Sequence, residues 1–304
     1  MTENEFLLAD RIQKIKSINE LYDLENNAYI SFSGGKDSTV VHYLIDMALP
    51  GNKIPRVYFN TGIEYKSVLN YVRELAKTDD RIVIVNSGVN IKSMLESVGY
   101  PFKSKEHSQK VSYYQNSGMG KTVLNYLGQG TKKDFLCPEK LKYNFTPEFK
   151  IKVSDKCCYK LKKEPAEKWG RENKRPITIT GIRQKEKGLR QSMAGCAVFY
   201  DDKCKELKKF HPLFPLDDWW LDEFIKRNDI KLCELYYPPY NFKRTGCVCC
   251  PYSTDLQTQL DKLSLYLPAE RKRAELIWRE VYVEYRRIGY RLRPLDLFDM
   301  EFIK

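Results

Sequence analysis

The sequence predicts an α/β protein built on a doubly wound parallel sheet. Short β-rich runs alternate with amphipathic helical stretches through the first quarter, a glycine-rich turn separates the first strand from the next helix, and strand-like sequence resumes at RPITITGIR. In order, 5–24 reads as a helix and NAYISFS as a buried strand. The following helix shows its apolar face in Val40, Val41, Leu44, Ile45 and Met47 and stops at Pro50-Gly51. IPRVYFN is a second strand, 65–77 a second helix and RIVIVNS a third strand. Between 103 and 150 the periodicity fails, and Gly, Ser, Asn and Gln accumulate around NSGMGKTVLNYLGQGTKK, which reads as a loop-rich insertion. DDWWLDEFIKRND is a helix with an aspartate cap, its Trp219 and Trp220 reading as core. Beyond Cys250 the chain is helical, most clearly over RKRAELIWREVYVEYRRIG. The expected division is an α/β domain over 1–245 and a cysteine-containing helical C-terminal appendage over 246–304.

Composition bounds the function. With 304 residues, 42% apolar and 13% aromatic, the chain can bury a core, which excludes global disorder. No window approaches the ~18 uncharged apolar residues of a membrane span, and MTENEFLLADRIQKIK places charges where a signal peptide is apolar, so a cytoplasmic protein without a membrane partner is expected. The net charge of +12 favours polyanions or phosphorylated small molecules as partners. Residues 132–175 hold fourteen basic against seven acidic residues, a pattern that fits a solvated face or a nucleic-acid or nucleotide patch. Nine cysteines in a reducing compartment point to metal or redox chemistry rather than a disulfide framework. Cys137, Cys196, Cys204 and Cys233 are scattered, whereas Cys157-Cys158 and GCVCCP at 246–251 are clustered.

The most informative run is SFSGGKDS, residues 31–38. A strand delivers the chain into a turn where Gly34 and Gly35 let the backbone approach an anion, and a helix then starts with its free N–H groups and positive dipole end at that point. Lys36 adds a mobile positive charge, the Ser33 and Ser38 hydroxyls suit non-bridging oxygens, and Asp37 suits a helix cap or a metal ion. The run lacks the four-residue spacer of GxxxxGK(S/T), which disfavours a Walker-type NTPase.

SFSGGKDS resembles the PP-loop of the ATP pyrophosphatases, the adenine nucleotide alpha hydrolase-like proteins of Rossmann-like fold, which cleave ATP between the α- and β-phosphates. FNTGIEY is similar to the strand-end TG motif of the phosphoadenosine phosphosulfate (PAPS) reductase branch, and ITGIRQKEKGLR to its G-I-R-x-x-E-S-x-x-R segment, with Lys187 in place of the usual Ser. HPLFPLDDWWLDEFI resembles the helix that follows. The resemblance spans 28–251 apart from 103–150 and implies nucleotide contacts from Ser31, Ser33, Gly34, Gly35, Lys36, Asp37, Ser38, Thr61, Gly62, Glu64, Gly181, Arg183, Glu186 and Arg190. Its implied roles are pyrophosphate binding by Gly34, Gly35 and Ser38, charge stabilisation by Lys36, assistance to Mg2+ by Asp37, and contact with the adenylate or acceptor by Arg183.

The cysteine pairs extend the likeness. CCYKLKKEP and YNFKRTGCVCCP are similar to the [4Fe-4S] signature of assimilatory adenylylsulfate reductases and related PP-loop proteins, which implies Cys157, Cys158, Cys247 and Cys250 as ligands, with Lys156, Lys160, Lys162 and Lys163 offsetting the cluster's charge. Four thiolates equally satisfy Zn2+, and unligated thiols remain the third state; the vicinal pair argues against zinc, whose ligands are usually spaced by two or more residues. Cys249 is an extra thiol that suits a replacement ligand or a nucleophile.

Two departures set the expected activity. Sulfonucleotide reductases of this kind use a cysteine in an E-C-G-(I/L)-H tail, and no cysteine follows Cys250 in this sequence; they also degenerate the phosphate loop, which is intact here. The resemblance therefore implies binding of ATP, release of AMP and pyrophosphate, and activation of an acceptor, tRNA or DNA or a nucleotide, for sulfur transfer from a donor such as a cysteine desulfurase. The alternatives are an adenylylsulfate or PAPS reductase that uses a partner thiol, and a nucleotide-sensing nucleic-acid-binding module.

Overall fold

AYIS, RVYFN and IVIVN are near-continuous apolar runs, as strands covered on both faces require, and in the computed structural model they lie side by side in a six-stranded sheet. The structure describes residues 2–131, 136–185, 195–201, 206–296 and 299–303. In chain order the elements are α1 (Glu3–Tyr22), α2 (Leu24–Asn27), β1 (Ala28–Ser31), α3 (Lys36–Ala48), β2 (Arg56–Asn60), α4 (Lys66–Ala76) and β3 (Ile82–Asn86). There follow α5 (Ile91–Val98), α6 (Lys105–Ser117), α7 (Lys121–Tyr126), α8 (Glu164–Glu172), β4 (Ile177–Ile179), β5 (Ala197–Phe199), β6 (Leu207–Phe210), α9 (Asp218–Arg227), α10 (Leu256–Tyr266) and α11 (Pro268–Arg287). Two units result: Met1–Asn60, Lys66–Ser87 and Glu164–Thr245 form the first, and Thr61–Tyr65, Gly88–Lys163 and Gly246–Lys304 the second.

The first unit contains the whole sheet, in the order β3-β2-β1-β4-β6-β5. All pairings are parallel except β5 with β6, so the expected parallel sheet carries one antiparallel edge strand. From β1 the chain passes through α3 to β2 on one side, while β4 lies on the other, with Ala28 opposite Ile177. The strand order thus reverses between β1 and β4, and the crevice beyond the carboxyl ends of such strands is where open α/β sheets take ligands. Tyr29 packs its ring edge-on to Trp169 of α8 at 5.0 Å, beside Val57 and Phe59. From α3, Val40, Val41, Leu44 and Ile45 are fully buried. At the other end of β2, the buried Arg56 donates to Asn52 Oδ1 (2.8 Å), Asp46 Oδ1 (2.6 Å) and His42 Nδ1 (3.1 Å). Arg81 grips the same Asp46 at 2.7 Å.

The second unit is helical. Trp278, Tyr282 and Tyr285 of α11, spaced i, i+4 and i+7, are completely buried. Tyr285 meets Phe102 edge-on at 4.8 Å, and Phe102 meets Phe149 at 5.7 Å. His107 of α6 lies among these rings between Tyr126 Oη and Asn144 Oδ1, each at 3.0 Å. The amide oxygen can only accept, so Nε2 carries the proton and Nδ1 accepts from the tyrosine.

Three expectations change. Residues 103–150 are not predominantly loop: α6, capped by Ser104, and α7 lie there, followed by a 3-10 turn over Glu139–Phe145. The buried face of α6 is His107, Ser108 and Val111, two polar residues out of three, so no apolar periodicity marked it. Residues 246–304 do not stand alone but group with 88–163. Trp220 is buried, as read, whereas Trp219 is 55% exposed.

Two of the three buried histidines, His42 and His107, are held neutral. Burial, reinforced by Arg56, lowers His42 to about 4, and burial, reinforced by Lys103, lowers His107 to about 3. Unfolding returns each ring to about 6.5, so between that value and about 4 the unfolded chain binds more protons than the native one. Stability is therefore full above about pH 6.5 and lost as pH falls, on the order of 3 kcal/mol for His42 and 5 kcal/mol for His107 at the limit. Urea unfolding at about pH 7.5 and about pH 5 is expected to show a lower midpoint in acid, with a smaller drop in His107→Gln; equal midpoints would contradict it.

Candidate functional site

The glycine turn follows β1 at the sheet's reversal point. Gly34 has φ +68°, and a Cβ there would lie 2.9 Å from both Val68 Cγ1 and Val72 Cγ2 of α4. Only glycine combines that left-handed backbone with such close packing. Gly35 is the N-cap of α3 and has no side-chain cap, so Asp37 does not serve the capping role foreseen as one of its options. Ser38 Oγ donates to Gly35 O (2.9 Å) and sits 3.0 Å from Ser33 Oγ, closing the turn. Ser31 ends β1 just before it.

Gly181 follows β4, and its bare Cα is needed: a Cβ would meet Asp37 Cβ at 2.9 Å and the Asp37 carbonyl carbon at 3.0 Å. This close approach brings Arg183, 4% exposed, to Asp37, with Nε 3.1 Å from Oδ1. Arg183 also binds Asp218 Oδ1 at 2.8 Å. Lys36 Nζ lies 3.0 Å from Asp222 Oδ1 and 3.8 Å from Asp218 Oδ1. The hydrogen bond from Arg183 holds the Asp218 carboxyl below its usual range. Asp217 caps α9 by accepting from Trp220 N (3.0 Å), which aims Asp218 and Asp222, one turn apart, at the two cations. Tyr236 Oη accepts from the Lys36 N–H (2.9 Å) and lies 2.9 Å from Thr245 Oγ1. A Cβ on Gly35 would be 3.3 Å from the hydroxyls of Ser33, Tyr236 and Thr245, so the backbone there is ringed by hydroxyls.

Sequence reading missed Asp218, Asp222, Tyr236 and Thr245. The i, i+4 aspartates after a capping Asp217 were the available signal for two of them; Tyr236 and Thr245 carried none. Glu186 and Arg190 lie outside the described residues, as does Cys204.

Thr61, Gly62 and Glu64 belong to the second unit. Glu64 accepts from Thr61 Oγ1 at 2.6 Å and pairs with Lys162 Nζ at 3.2 Å. Cys247 forms a β-bridge with Glu64, and Val248 N donates to Ile63 O (2.8 Å). α11 fixes both segments: Trp278 Nε1 donates to Val248 O (2.8 Å), Tyr282 Oη to Cys249 O, and Arg273 to Gly62 O (2.9 Å). Cys157 and Cys158 precede a wide π-helical turn, Tyr159–Lys163, which carries Lys162.

These elements gather Cys157, Cys158, Cys247 and Cys250. Burial pushes the thiols of Cys157, Cys247 and Cys250 up, and neighbouring cysteines push each of them further. Burial alone would lower the Lys162 ammonium, but Cys247 and Glu64 outweigh it and raise it. Four thiols in one neighbourhood beside the half-exposed Lys162 are a donor set of the chemistry that binds a metal through thiolates. Among the described residues, however, no group of three or more His, Cys, Asp or Glu is set closely enough to hold an ion. Cys249 differs: it is fully buried, burial raises its thiol to about 12, and its sulfur faces Tyr65 Oη at 3.8 Å. That environment withdraws the expectation of a nucleophile, since the thiolate is the reactive form.

A glycine turn opening a helix after an inner strand of a mostly parallel sheet makes this an α/β protein, with a helix N-terminus at the carboxyl end of β1, a place suited to an anion. Residues 131–253 match the model of the phosphoadenosine phosphosulfate reductase domain. The matched segment, 123 of the 304 residues, contains both cysteine groups and Gly181-Ile182-Arg183 but not the glycine turn. The protein MJ0973 of Methanocaldococcus jannaschii is 25% identical over 256 residues, 80% of this chain and 48% of its own, so the chain spans about half the length of that curated relative. Among solved structures, PAPS reductase from Candida auris in a phosphate complex has a TM-score of 0.41 and 17% identity, covering 73% of this chain and 81% of that one. The U34-tRNA thiolase NcsA of Methanococcus maripaludis with its [4Fe-4S] cluster has a TM-score of 0.38 and 14% identity, covering 94% and 80%. Among the described residues no helix is long and apolar enough to cross a membrane.

Replacing Gly181 by Ala is expected to push the first turn of α3 away from Arg183. The melting temperature should fall by a few degrees, in keeping with the 1–3 kcal/mol typical of overpacking. Affinity for inorganic pyrophosphate, read by calorimetry, should fall at least tenfold; unchanged affinity would remove Gly181 from the site.

Proposed function

We propose that the protein binds ATP at the β1–α3 turn, cleaves it between the α- and β-phosphates, and joins the AMP to an acceptor oxygen from which a sulfur nucleophile then displaces it. The carrying observation is the helix start after the glycine turn: N-cap Gly35 brings no side-chain cap to α3, and Lys36 and Arg183 are held beside it by Asp222 and Asp37. In the reaction the acceptor oxygen attacks the α-phosphorus, the bond to the bridging oxygen breaks, and pyrophosphate leaves with the negative charge that Lys36 and the helix amides stabilise. Sulfur attack then breaks the acceptor C–O bond and releases AMP. Such chemistry rests on positioning and charge neutralisation more than on a protein nucleophile. Mg2+ would accompany the polyphosphate, with Asp37 as its nearest carboxylate on the turn.

Cys157, Cys158, Cys247 and Cys250 would hold a [4Fe-4S] cluster, or Zn2+ in the second reading, and Lys162 would offset its charge. Four protein ligands leave no open iron, which favours a structural part. The acceptor would be a nucleic acid such as tRNA or DNA, or a nucleotide, and the donor a protein such as a cysteine desulfurase. The matched family description favours a second reading, reduction of a sulfonucleotide to sulfite. That reading needs a reactive thiol, and Cys249 is locked away, so a partner would have to supply it.

Pyrophosphate release from ATP with Mg2+ is expected from the wild-type protein and is expected to fall at least a hundredfold in Lys36→Ala, in line with the ~2.7–4 kcal/mol lost with a single oxyanion donor. Sulfite formed from adenylylsulfate or PAPS, without pyrophosphate from ATP, would replace the first reading by the second. After anaerobic purification, Cys247→Ala should lose the metal while Cys249→Ala keeps it; metal content equal in both would remove Cys247 as a ligand.

A further inference from the structure

α6 buries His107, Ser108 and Val111, and its opposite face, Lys105, Gln109, Ser112, Tyr113 and Asn116, lines a cavity of about 630 Å³ within the second unit. The rest of the lining comes from the segment around the cysteine pair: Lys156 before it, and Tyr159, Lys160 and Lys163 on the turn after it. Cys158 opens into the same cavity, and Asp155 is the one carboxylate on its lining. Four lysines against one aspartate make the space strongly cationic, and Tyr113 and Tyr159 are 47% and 41% exposed.

We propose that this cavity seats a stretch of single-stranded nucleic acid, its phosphates on Lys105, Lys156, Lys160 and Lys163 and an unstacked base on Tyr113 or Tyr159. Lysines tracking a backbone, interleaved with aromatic rings, are what sequence-tolerant single-strand binding requires. An acidic protein would use the lysines and leave the rings without a planar partner. A duplex keeps its bases stacked inside, out of reach of side chains in a concave site. The position on the lip of Cys158 gives the cavity a bearing on the chemistry: it names the acceptor class for the proposed adenylation and rests on that reading for its purpose, although binding itself needs no turnover.

The test is fluorescence anisotropy with a labelled single-stranded oligouridylate, a duplex of the same length and polyglutamate as competitor, across a salt series and without ATP. Wild-type protein should prefer the single strand. Lys160→Ala combined with Lys163→Ala should weaken binding at least tenfold and reduce the log–log salt slope by about 1.4, at ~0.7 per lost phosphate contact on a single strand. Tyr113→Ala combined with Tyr159→Ala should also weaken it at least fivefold with the slope unchanged, and Tyr→Phe at both positions should restore it. These residues are on the surface, and far-ultraviolet circular dichroism checks that each variant is folded. Equal affinity for duplex, displacement by polyglutamate at matched charge, or wild-type binding by both double variants would overturn the proposal. Because Lys36→Ala is expected to bind the oligonucleotide normally while releasing no pyrophosphate, failure here and failure of the adenylation reading are told apart.

Discussion

Crowding of positive charge at the start of α3 is the constraint around which the first unit is arranged. The helix dipole already makes that end positive, and Lys36 and Arg183 are brought to the same place. Like charges this close repel unless something negative lies among them. Asp37, Asp218 and Asp222 supply that charge, and the cap at Asp217 exists in effect to orient two of them. Asp218 and Asp222 are 74% and 65% exposed at the side chain, so their ion pairs are screened and weak in stability terms. They are therefore the partners of these cations that a competing anion would displace most easily. Asp37, on the helix itself, stays with Arg183 through the close approach at Gly181.

The second unit answers a different problem: how to hold two short cysteine segments far apart in sequence. Neither 157–158 nor 247–250 has regular structure long enough to position itself. α11 supplies the frame, its Trp278, Tyr282 and Tyr285 donating to the carbonyls of Val248, Cys249 and Pro251. Those bonds satisfy buried backbone groups that no sheet or helix would otherwise reach. The same residues are also the unit's core, so the packing of α11 and the placement of the thiols cannot vary independently.

How much of this was legible follows from which residues speak locally. The loop at 31–38, the three strands before 87 and the aspartate-capped helix each announce themselves through glycine, β-branched runs or a cap, which act on their own neighbours. β5 and β6, three and four residues long, are too short to show a period, and α6 hid because two of the three residues on its buried face are polar. Tyr236 and Thr245 reach the turn across 200 residues of chain, and no local pattern encodes a contact of that range. The two groups of cysteines were visible as clusters, but the grip of Arg273 on the backbone of 62–64 and the bridge of Glu64 to Cys247 are tertiary facts.

Charge compensation ties the cysteine centre to its surroundings. Lys162 and Glu64 neutralise one another, so the pair adds little net charge to the pocket the thiols share. Ionising those thiols on any metal would leave a net negative centre, since thiolates outnumber what a small ion or cluster core offsets. Charge alone thus does not separate zinc from iron and sulfur; the adjacency of Cys157 and Cys158 counts against zinc, whose ligands are usually spaced by two or more residues. The compensating charge must come from outside the pair; Lys160 and Lys163 stand on the turn that carries Lys162, and Lys156 directly precedes the cysteine pair. Those same ammonium groups line the cavity at Cys158, so a polyanion entering it would draw on the charge that a thiolate-bound metal there would need. If both were held, occupancy of the one would be felt at the other through the three lysines they share.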